Sequence, residues 1–260
     1  MSDEPIIAIV PAAGVGARAR TRNDDDRPKQ YRLLNGLPML RHAVGALLAD
    51  ARIDQVRVAV GTDDGWAEEA LAGLPRTVVV RCGGATRADT VANALADADM
   101  PDAAWVLVHD AARPGLPAQA LAGLIDACRA SGRGALLALP VADTVKRGAE
   151  FDMSPSQVGA ETAVSSPVTP VSDKTSQARR FSQVAATVDR SDLWLAQTPQ
   201  MYQAGRLRDA LQAAVRAGLT VTDESQAMEH VGRAPLLVRG SVRNFKVTWP
   251  EDFELMEKWL

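Results

Sequence analysis

With 260 residues the chain is long enough to bury one substantial core, and a single α/β domain of that size is ordinary. Its 29 Lys and Arg against 32 Asp and Glu leave a net charge of -3, which excludes a general attraction to nucleic acid or an anionic membrane, so any anion site must be local. Two cysteines, no apolar run of membrane-spanning length and a start, MSDEPII, unlike a secretion signal point to the reducing cytoplasm; His42, His109 and His230 lack metal-ligand spacing, which argues against a zinc site.

The first apolar run, Ile6 to Val10, reads as a strand that opens into a phosphate clamp, VPAAGVGARARTRNDDDRPKQY. Small residues at Ala12, Ala13 and Gly14 let a ligand approach the main chain, and Gly14 and Gly16 expose backbone N–H groups. Arg18, with Arg20 near it, and Lys29 add a forked donor and a point charge, as a triphosphate requires. A dinucleotide fingerprint on Gly14, Gly16 and Ala19 needs an acidic residue about 20 positions on, at the end of a second strand, and none stands there. A Walker loop needs a Gly-Lys pair, which the chain lacks.

Pro38 to Ala49 carries apolar residues at helical spacing and reads as the first crossover helix. Strand-like runs at Val56 to Val60, Thr77 to Val80, Trp105 to Val108 and Ala135 to Leu139 then alternate with helical patterns at Trp66 to Leu74, Thr86 to Leu95 and Pro117 to Ala130. Continuous apolarity in the strands predicts a doubly wound, mostly parallel α/β sheet covered on both faces. The charged motifs follow strands: the clamp after Val10, GGATR after Val80 and HDAARP after Val108. That placement predicts one cleft at the carboxyl ends of the strands.

From Gly148 to Ala186 the chain is rich in Ser, Thr, Pro and Gln, a composition expected to leave most of it mobile. Order returns with Leu193 to Ala196 as a strand, Arg206 to Ala217 as a helix, and a helix over Asp223 to Val231 with Thr222 as its N-cap. Asp223 and Glu224 suit a helix N-terminus, which explains both without a site role. Leu236 to Val238 and Asn244 to Val247 read as short strands, and Pro250 to Leu260 as a closing helix.

PAAGVGAR at Pro11 to Arg18 and PKQY at Pro28 to Tyr31 are followed by GGATRADTV at Gly83, VHDAARP at Val108, DTVKR at Asp143, DR at Asp189, TPQ at Thr198 and NFKVTWPED at Asn244. This ordered series resembles the cytidylyltransferases that activate small polyol phosphates, over nearly the whole chain except Gly148 to Ala186. The resemblance implies a nucleotide-diphospho-sugar transferase type of sheet, with an arm over residues 143–190 that clasps a partner subunit in a homodimer and carries residues 148–186 as an insertion. It implies CTP and a polyol phosphate as substrates, with Mg2+; 2-C-methyl-D-erythritol 4-phosphate is the expected acceptor and ribitol 5-phosphate the alternative. No fused downstream domain is expected. A nucleotide-binding scaffold without activity and a Rossmann oxidoreductase stand as readings of other classes.

By the same resemblance Arg18, Lys29 and Lys246 surround the triphosphate and stabilise the transition state. The nucleotide is held by Pro11, Ala12, Ala13, Gly14, Gly16, Gly83, Gly84, Thr90, Asp110 and Ala111. The acceptor falls to Arg113, Asp143, Thr144, Lys146 and Arg190. Asp110, at a strand's carboxyl end, is the best-placed carboxylate for the metal. Lys246, between Phe245 and Val247, is expected to point into the cleft because an unpaired lysine among apolar neighbours is costly. Arg87 and Asp89 are expected to pair with neighbours, and His109 to be structural.

Overall fold

The computed structural model describes residues 4–14, 27–152 and 180–260, with the backbone alone at 151, 152, 180 and 181. The chain divides into two units, Met1–Leu139 with Leu195–Leu260, and Pro140–Trp194. Among the described residues no helix is long and apolar enough to cross a membrane.

The larger unit is built on a seven-stranded sheet. Its strands are β1 (Ile6–Pro11), β4 (Ile53–Ala59), β5 (Thr77–Val80), β6 (Trp105–Val108), β7 (Ala135–Pro140), β10 (Trp194–Gln203) and β11 (Leu236–Arg239), in the order β11-β7-β10-β6-β1-β4-β5. Neighbours β1 and β4, β1 and β6, β4 and β5, and β7 and β11 run parallel; β10 lies antiparallel to β6, with Gln200 opposite Val108. β2 (Leu33–Leu34) and β3 (Leu37–Pro38) form a small separate hairpin.

Alternate residues of the central strands feed two cores, one per face. Ile6, Ala8 and Val10 of β1 join Leu107 on the face covered by α1 (Met39–Leu48), α2 (Ala67–Leu71) and α4 (Ala118–Ser131). Ile9 joins Val106 and Val108 on the face covered by α3 (Arg87–Asp97), α5 (Ala204–Arg216) and α6 (Glu224–His230). Each helix supplies one apolar stripe, as with Leu40, Val44 and Leu47 of α1. The expected doubly wound sheet is therefore present. A third, smaller cluster seats α7 (Pro250–Glu257) through Phe253 and Met256 against Leu34, Met39, Ala112 and Val247.

Three expectations differ from the structure. The N-cap of α6 is Asp223, whose carboxylate accepts the Gln226 N–H at 2.9 Å; Thr222 instead donates its own N–H to the Gln226 side chain. Asn244 to Val247 is not a strand: Val242–Asn244 form a 3-10 turn and the following residues are irregular. Asn244 turns its side-chain amide onto the Thr198 carbonyl of β10, and the Val247 N–H meets the Ala112 carbonyl in the loop after β6, so this segment is tied down by single contacts to different elements rather than by a strand ladder. Residues 148–152 and 180–186, expected to be mobile, belong to β8 (Val145–Asp152) and β9 (Arg180–Val188), an antiparallel pair in the smaller unit. A two-stranded ladder is held by backbone hydrogen bonds and does not need the apolar composition that a packed core demands. Residues 153–179 lie outside the described residues.

Candidate active site

Three loops at the carboxyl ends of β1, β5 and β6 border one cleft of about 380 Å³. Pro11 to Gly14 come from the first, Gly84 to Arg87 from the second and Asp110 to Ala112 from the third; Lys29, Gln30, Met39, Thr90 and Lys246 line the rest.

The glycines between β5 and α3 are required for space. The Gly83 N–H donates to the Val60 carbonyl at 2.9 Å, and a Cβ at Gly83 would stand 2.6 Å from the Ala13 Cβ. A Cβ at Gly84 would overlap the Asp89 side chain. Behind them α3 starts in a capping box: the Asp89 N–H donates to Thr86 Oγ1 at 3.1 Å and the Thr86 N–H to Asp89 Oδ2 at 3.0 Å. The buried Thr90 hydroxyl accepts the Gly84 N–H at 3.0 Å and donates to the Thr86 carbonyl at 3.0 Å. On the opposite wall, buried Gln30 donates to the Ala12 carbonyl at 2.7 Å.

Asp110 is the electrostatic centre. Arg87 Nε donates to Oδ1 at 2.9 Å, Lys246 Nζ donates to Oδ2 at 2.7 Å, and Arg113 Nε lies 3.7 Å from Oδ2. Burial works against the charged carboxylate, but Arg87, Lys246 and Arg113 outweigh it and hold Asp110 well below the usual carboxylate range. Burial likewise opposes the Arg87 charge, and Glu224 and Asp110 together push its pKa above the ordinary value. Asp110 is also fixed through its backbone, because its N–H donates to Thr198 Oγ1 at 2.9 Å.

His109 completes that anchor. Its Nε2 faces the Arg113 carbonyl at 3.0 Å and therefore carries the proton, while Nδ1 faces Thr198 Oγ1 at 3.2 Å and accepts from the hydroxyl. Burial lowers its pKa to about 4, so the ring is neutral at pH 7 and serves as a strut.

Pro11, Ala12, Ala13, Gly14, Lys29, Gly84, Thr90, Asp110, Ala111 and Lys246 thus line one cleft, with Gly83 packed just behind it. Gly16 and Arg18 lie outside the described residues. Arg113, expected to face the acceptor, is turned into the protein, donating to the carbonyls of Asn244 at 2.7 Å and Ala196 at 3.4 Å. Asp143, Thr144, Lys146 and Arg190 belong to the smaller unit, where Lys146 Nζ donates to Thr187 Oγ1 at 2.6 Å across the β8–β9 ladder and the Arg190 carbonyl accepts the Leu193 N–H at 3.0 Å.

Arg87 and Asp89 do pair with neighbours, as expected. The sequence reading missed Gln30, whose place in PKQY was its only signal, and the tie between Glu224 and Arg87, which joins residues 137 positions apart. Asp110 had also been expected to bind the metal. Each of its oxygens is already met by a cation, and among the described residues no group of three or more His, Cys, Asp or Glu could hold a metal ion. A protein-held divalent ion does not fit this arrangement.

The family model described as IspD: 2-C-methyl-D-erythritol 4-phosphate cytidylyltransferase matches residues 6–156 and 153–260. The chain is 60% identical over 257 residues to the 2-C-methyl-D-erythritol 4-phosphate cytidylyltransferase of Bordetella pertussis, covering 99% of each sequence. It is 45% identical over 252 residues to the enzyme of that name from Laribacter hongkongensis, covering 96% of this chain and 93% of the relative. The crystal structure of a 4-diphosphocytidyl-2C-methyl-D-erythritol synthase aligns with a TM-score of 0.74 at 35% identity, covering 98% of both chains. Fold, cleft and full-length similarity agree, and the chain belongs to the 2-C-methyl-D-erythritol 4-phosphate cytidylyltransferase family of nucleotidyltransferases.

Proposed function

We propose that this enzyme transfers the cytidylyl group of CTP to 2-C-methyl-D-erythritol 4-phosphate in isoprenoid precursor synthesis, forming 4-diphosphocytidyl-2-C-methyl-D-erythritol and pyrophosphate. The observation that carries this reading is the convergence of Lys29 and Lys246 with the small-residue loops at Ala12 to Gly14 and Gly84 in one cleft, in a chain of this family.

An oxygen of the acceptor phosphate bonds to the α-phosphorus of CTP while the bond from that phosphorus to the bridging oxygen breaks. Pyrophosphate leaves with the electron pair. A phosphate monoester has its second pKa near about 6, so the attacking oxygen is already anionic at pH 7 and needs no general base. His109, buried and with both ring nitrogens engaged by Arg113 and Thr198, is not placed to act as one. The task left to the protein is to bring two anions together and to stabilise the charge that builds on the α-phosphate and the bridging oxygen, which fixed cations do.

Lys29, Lys246 and Arg18 take that role. Pro11 to Gly14, Gly16, Gly83, Gly84, Thr90, Asp110 and Ala111 shape the nucleotide site, with main-chain groups selecting cytosine. Asp143, Thr144, Lys146 and Arg190 are assigned to the acceptor, whereas the inward-turned Arg113 is assigned to the support of Asp110 behind the cleft. Mg2+ is read as arriving with the triphosphate, because its preferred ligands are phosphate oxygens and Asp110 is occupied by cations. The β8–β9 pair is assigned to a homodimer contact, a reading supported by exposed Val184 on β9. The enzyme is assigned to the cytoplasm.

Pyrophosphate release with CTP and Mg2+, run in parallel with 2-C-methyl-D-erythritol 4-phosphate and ribitol 5-phosphate, tests the proposal. Turnover with the erythritol phosphate alone is expected. Turnover with ribitol phosphate alone would keep the chemistry and replace the pathway, and CTP binding without turnover on either would point to a scaffold.

A further inference from the structure

We infer that Glu224, a residue outside the cleft, is a positioning residue for the transfer: through Arg87 and Asp110 it sets the place of the Lys246 ammonium. The inference rests on the reading of Lys246 as a phosphate-facing cation.

A carboxylate in the first turn of α6 gains from the helix dipole, and a solvent-exposed carboxylate would gain it as well. Glu224 is instead 1% exposed, an environment that is costly for a charge without a fixed partner. That partner is Arg87. NH1 donates to Oε1 at 2.7 Å and NH2 to Oε2 at 3.1 Å, a two-pronged contact that fixes the guanidinium plane as well as its position. With both prongs engaged, the direction of Nε is set, and it donates to Asp110 Oδ1 at 2.9 Å. The other Asp110 oxygen holds Lys246 at 2.7 Å.

The result is a chain of alternating charge that runs from α6 through the start of α3 and the loop after β6 to the rim of the cleft. Glu224 does not line the cleft; Arg87, Asp110 and Lys246 do. The Asp110 backbone has its own anchor on Thr198, so losing Glu224 leaves the loop in place and frees the carboxylate to turn. Loss of Glu224 also leaves the Arg87 charge with Asp110 as its one remaining carboxylate partner among the described residues, so the positive charge beside the cleft rises and favours a bound triphosphate. Turnover should therefore fall while CTP binding holds or tightens, a split that loss of structure would not produce.

The experiment is a double-mutant cycle in the full chain with E224Q and K246M, reading kcat in the presence of 2-C-methyl-D-erythritol 4-phosphate, CTP affinity by calorimetry, and melting temperature. E224Q keeps the side-chain shape and replaces one acceptor oxygen with an amide that opposes an Arg87 N–H. Expected are a fall in kcat of about tenfold or more, CTP affinity equal or higher, and no further fall when E224Q is added to K246M. An unchanged kcat in folded E224Q, or the same loss with and without Lys246, would overturn the proposal. Should E224Q fail to fold, E224D, which keeps the charge and shortens the reach, carries the same cycle. K246M with wild-type turnover would instead sink the reading of Lys246 itself, so the two failures are distinct.

Discussion

The Lys29 ammonium donates to the Val247 carbonyl at 2.7 Å, which ties the first glycine loop's end to the segment that carries Lys246 across 218 positions of sequence. The two lysines therefore share one rim of the cleft. Lys29→Ala and Lys246→Ala are each expected to lower the rate of pyrophosphate release by about 10²–10³-fold, the scale of losing one preorganised donor at a developing charge. The Lys29 variant also loses a hydrogen bond worth about 1 kcal/mol, so a folded protein with a slightly lower melting temperature is expected. Near-normal rates in both variants would remove the charge-stabilisation mechanism.

What could be read from the sequence was what depends on neighbours along the chain. The apolar runs at Thr77 to Val80 and Trp105 to Val108 coincide with β5 and β6; β6 is buried throughout and carries only apolar residues, and the half-buried edge strand β5 is almost as apolar. The charged motifs after those strands then had to lie at the sheet's carboxyl edge, which is why most of the expected nucleotide residues share one cleft. What was illegible depends on distant partners. Nothing local distinguishes Glu224 as a counter-ion of Arg87 from an ordinary first-turn carboxylate, and nothing local turns Arg113 inward toward the carbonyls of Asn244 and Ala196. Asn244 to Val247 has the composition of a strand, yet it joins no ladder, and its partners are Thr198 of β10 and Ala112 of the loop after β6. β10 runs on through Thr198, Pro199 and Gln200 to Gln203, well past the expected Ala196, although a proline inside a run argues against a strand.

Gly83→Ala tests the closeness of the two nucleotide loops. The added methyl would stand 2.6 Å from the Ala13 Cβ and 2.9 Å from the Val60 carbonyl, neither of which belongs to a flexible side-chain end. Overpacking of this kind costs about 1–3 kcal/mol, and its relief would push the Ala13 loop outward. A lower melting temperature together with a several-fold rise in KM for CTP is expected. A variant with unchanged stability and unchanged KM would show that the loops part without consequence.

Thr90 separates hydroxyl chemistry from side-chain bulk. Its Oγ1 holds the Gly84 N–H and the Thr86 carbonyl, so Thr90→Ser should keep both bonds and near-normal kinetics. Thr90→Val keeps the volume but leaves the half-buried Gly84 N–H and the Thr86 carbonyl without that partner, at about 1 kcal/mol for each hydrogen bond lost. Calorimetric titration with CTP should show weaker binding by Thr90→Val alone. Equal affinity in the two variants would mean that the Gly84 loop holds its position without the hydroxyl.

His109 gives the fold a dependence on pH whose sign follows from its burial. The folded chain keeps the ring neutral down to about pH 4, whereas in the unfolded chain it takes up a proton below about 6.5. Between those values the unfolded state binds more protons, so stability rises with pH; the contribution is complete above about pH 6.5 and is lost as pH falls toward 4. At about 1.36 kcal/mol per pH unit, the full loss is roughly 3 kcal/mol. Urea unfolding at pH 7.5 and pH 4.5 should therefore show a larger drop for the wild-type chain than for His109→Gln, which has nothing to titrate in that window, even though the variant starts from lower stability for want of the ring's packing. The carboxylates on either side of the comparison are the same, and Asp110, held ionised by its three cations, contributes its own loss as pH falls through the usual carboxylate range and below it, alike in both proteins. Parallel drops in the two proteins would mean that the ring is protonated in the folded chain, and the hydrogen bond from Thr198 to Nδ1 that anchors Asp110 would have to be redrawn with the nitrogen as donor.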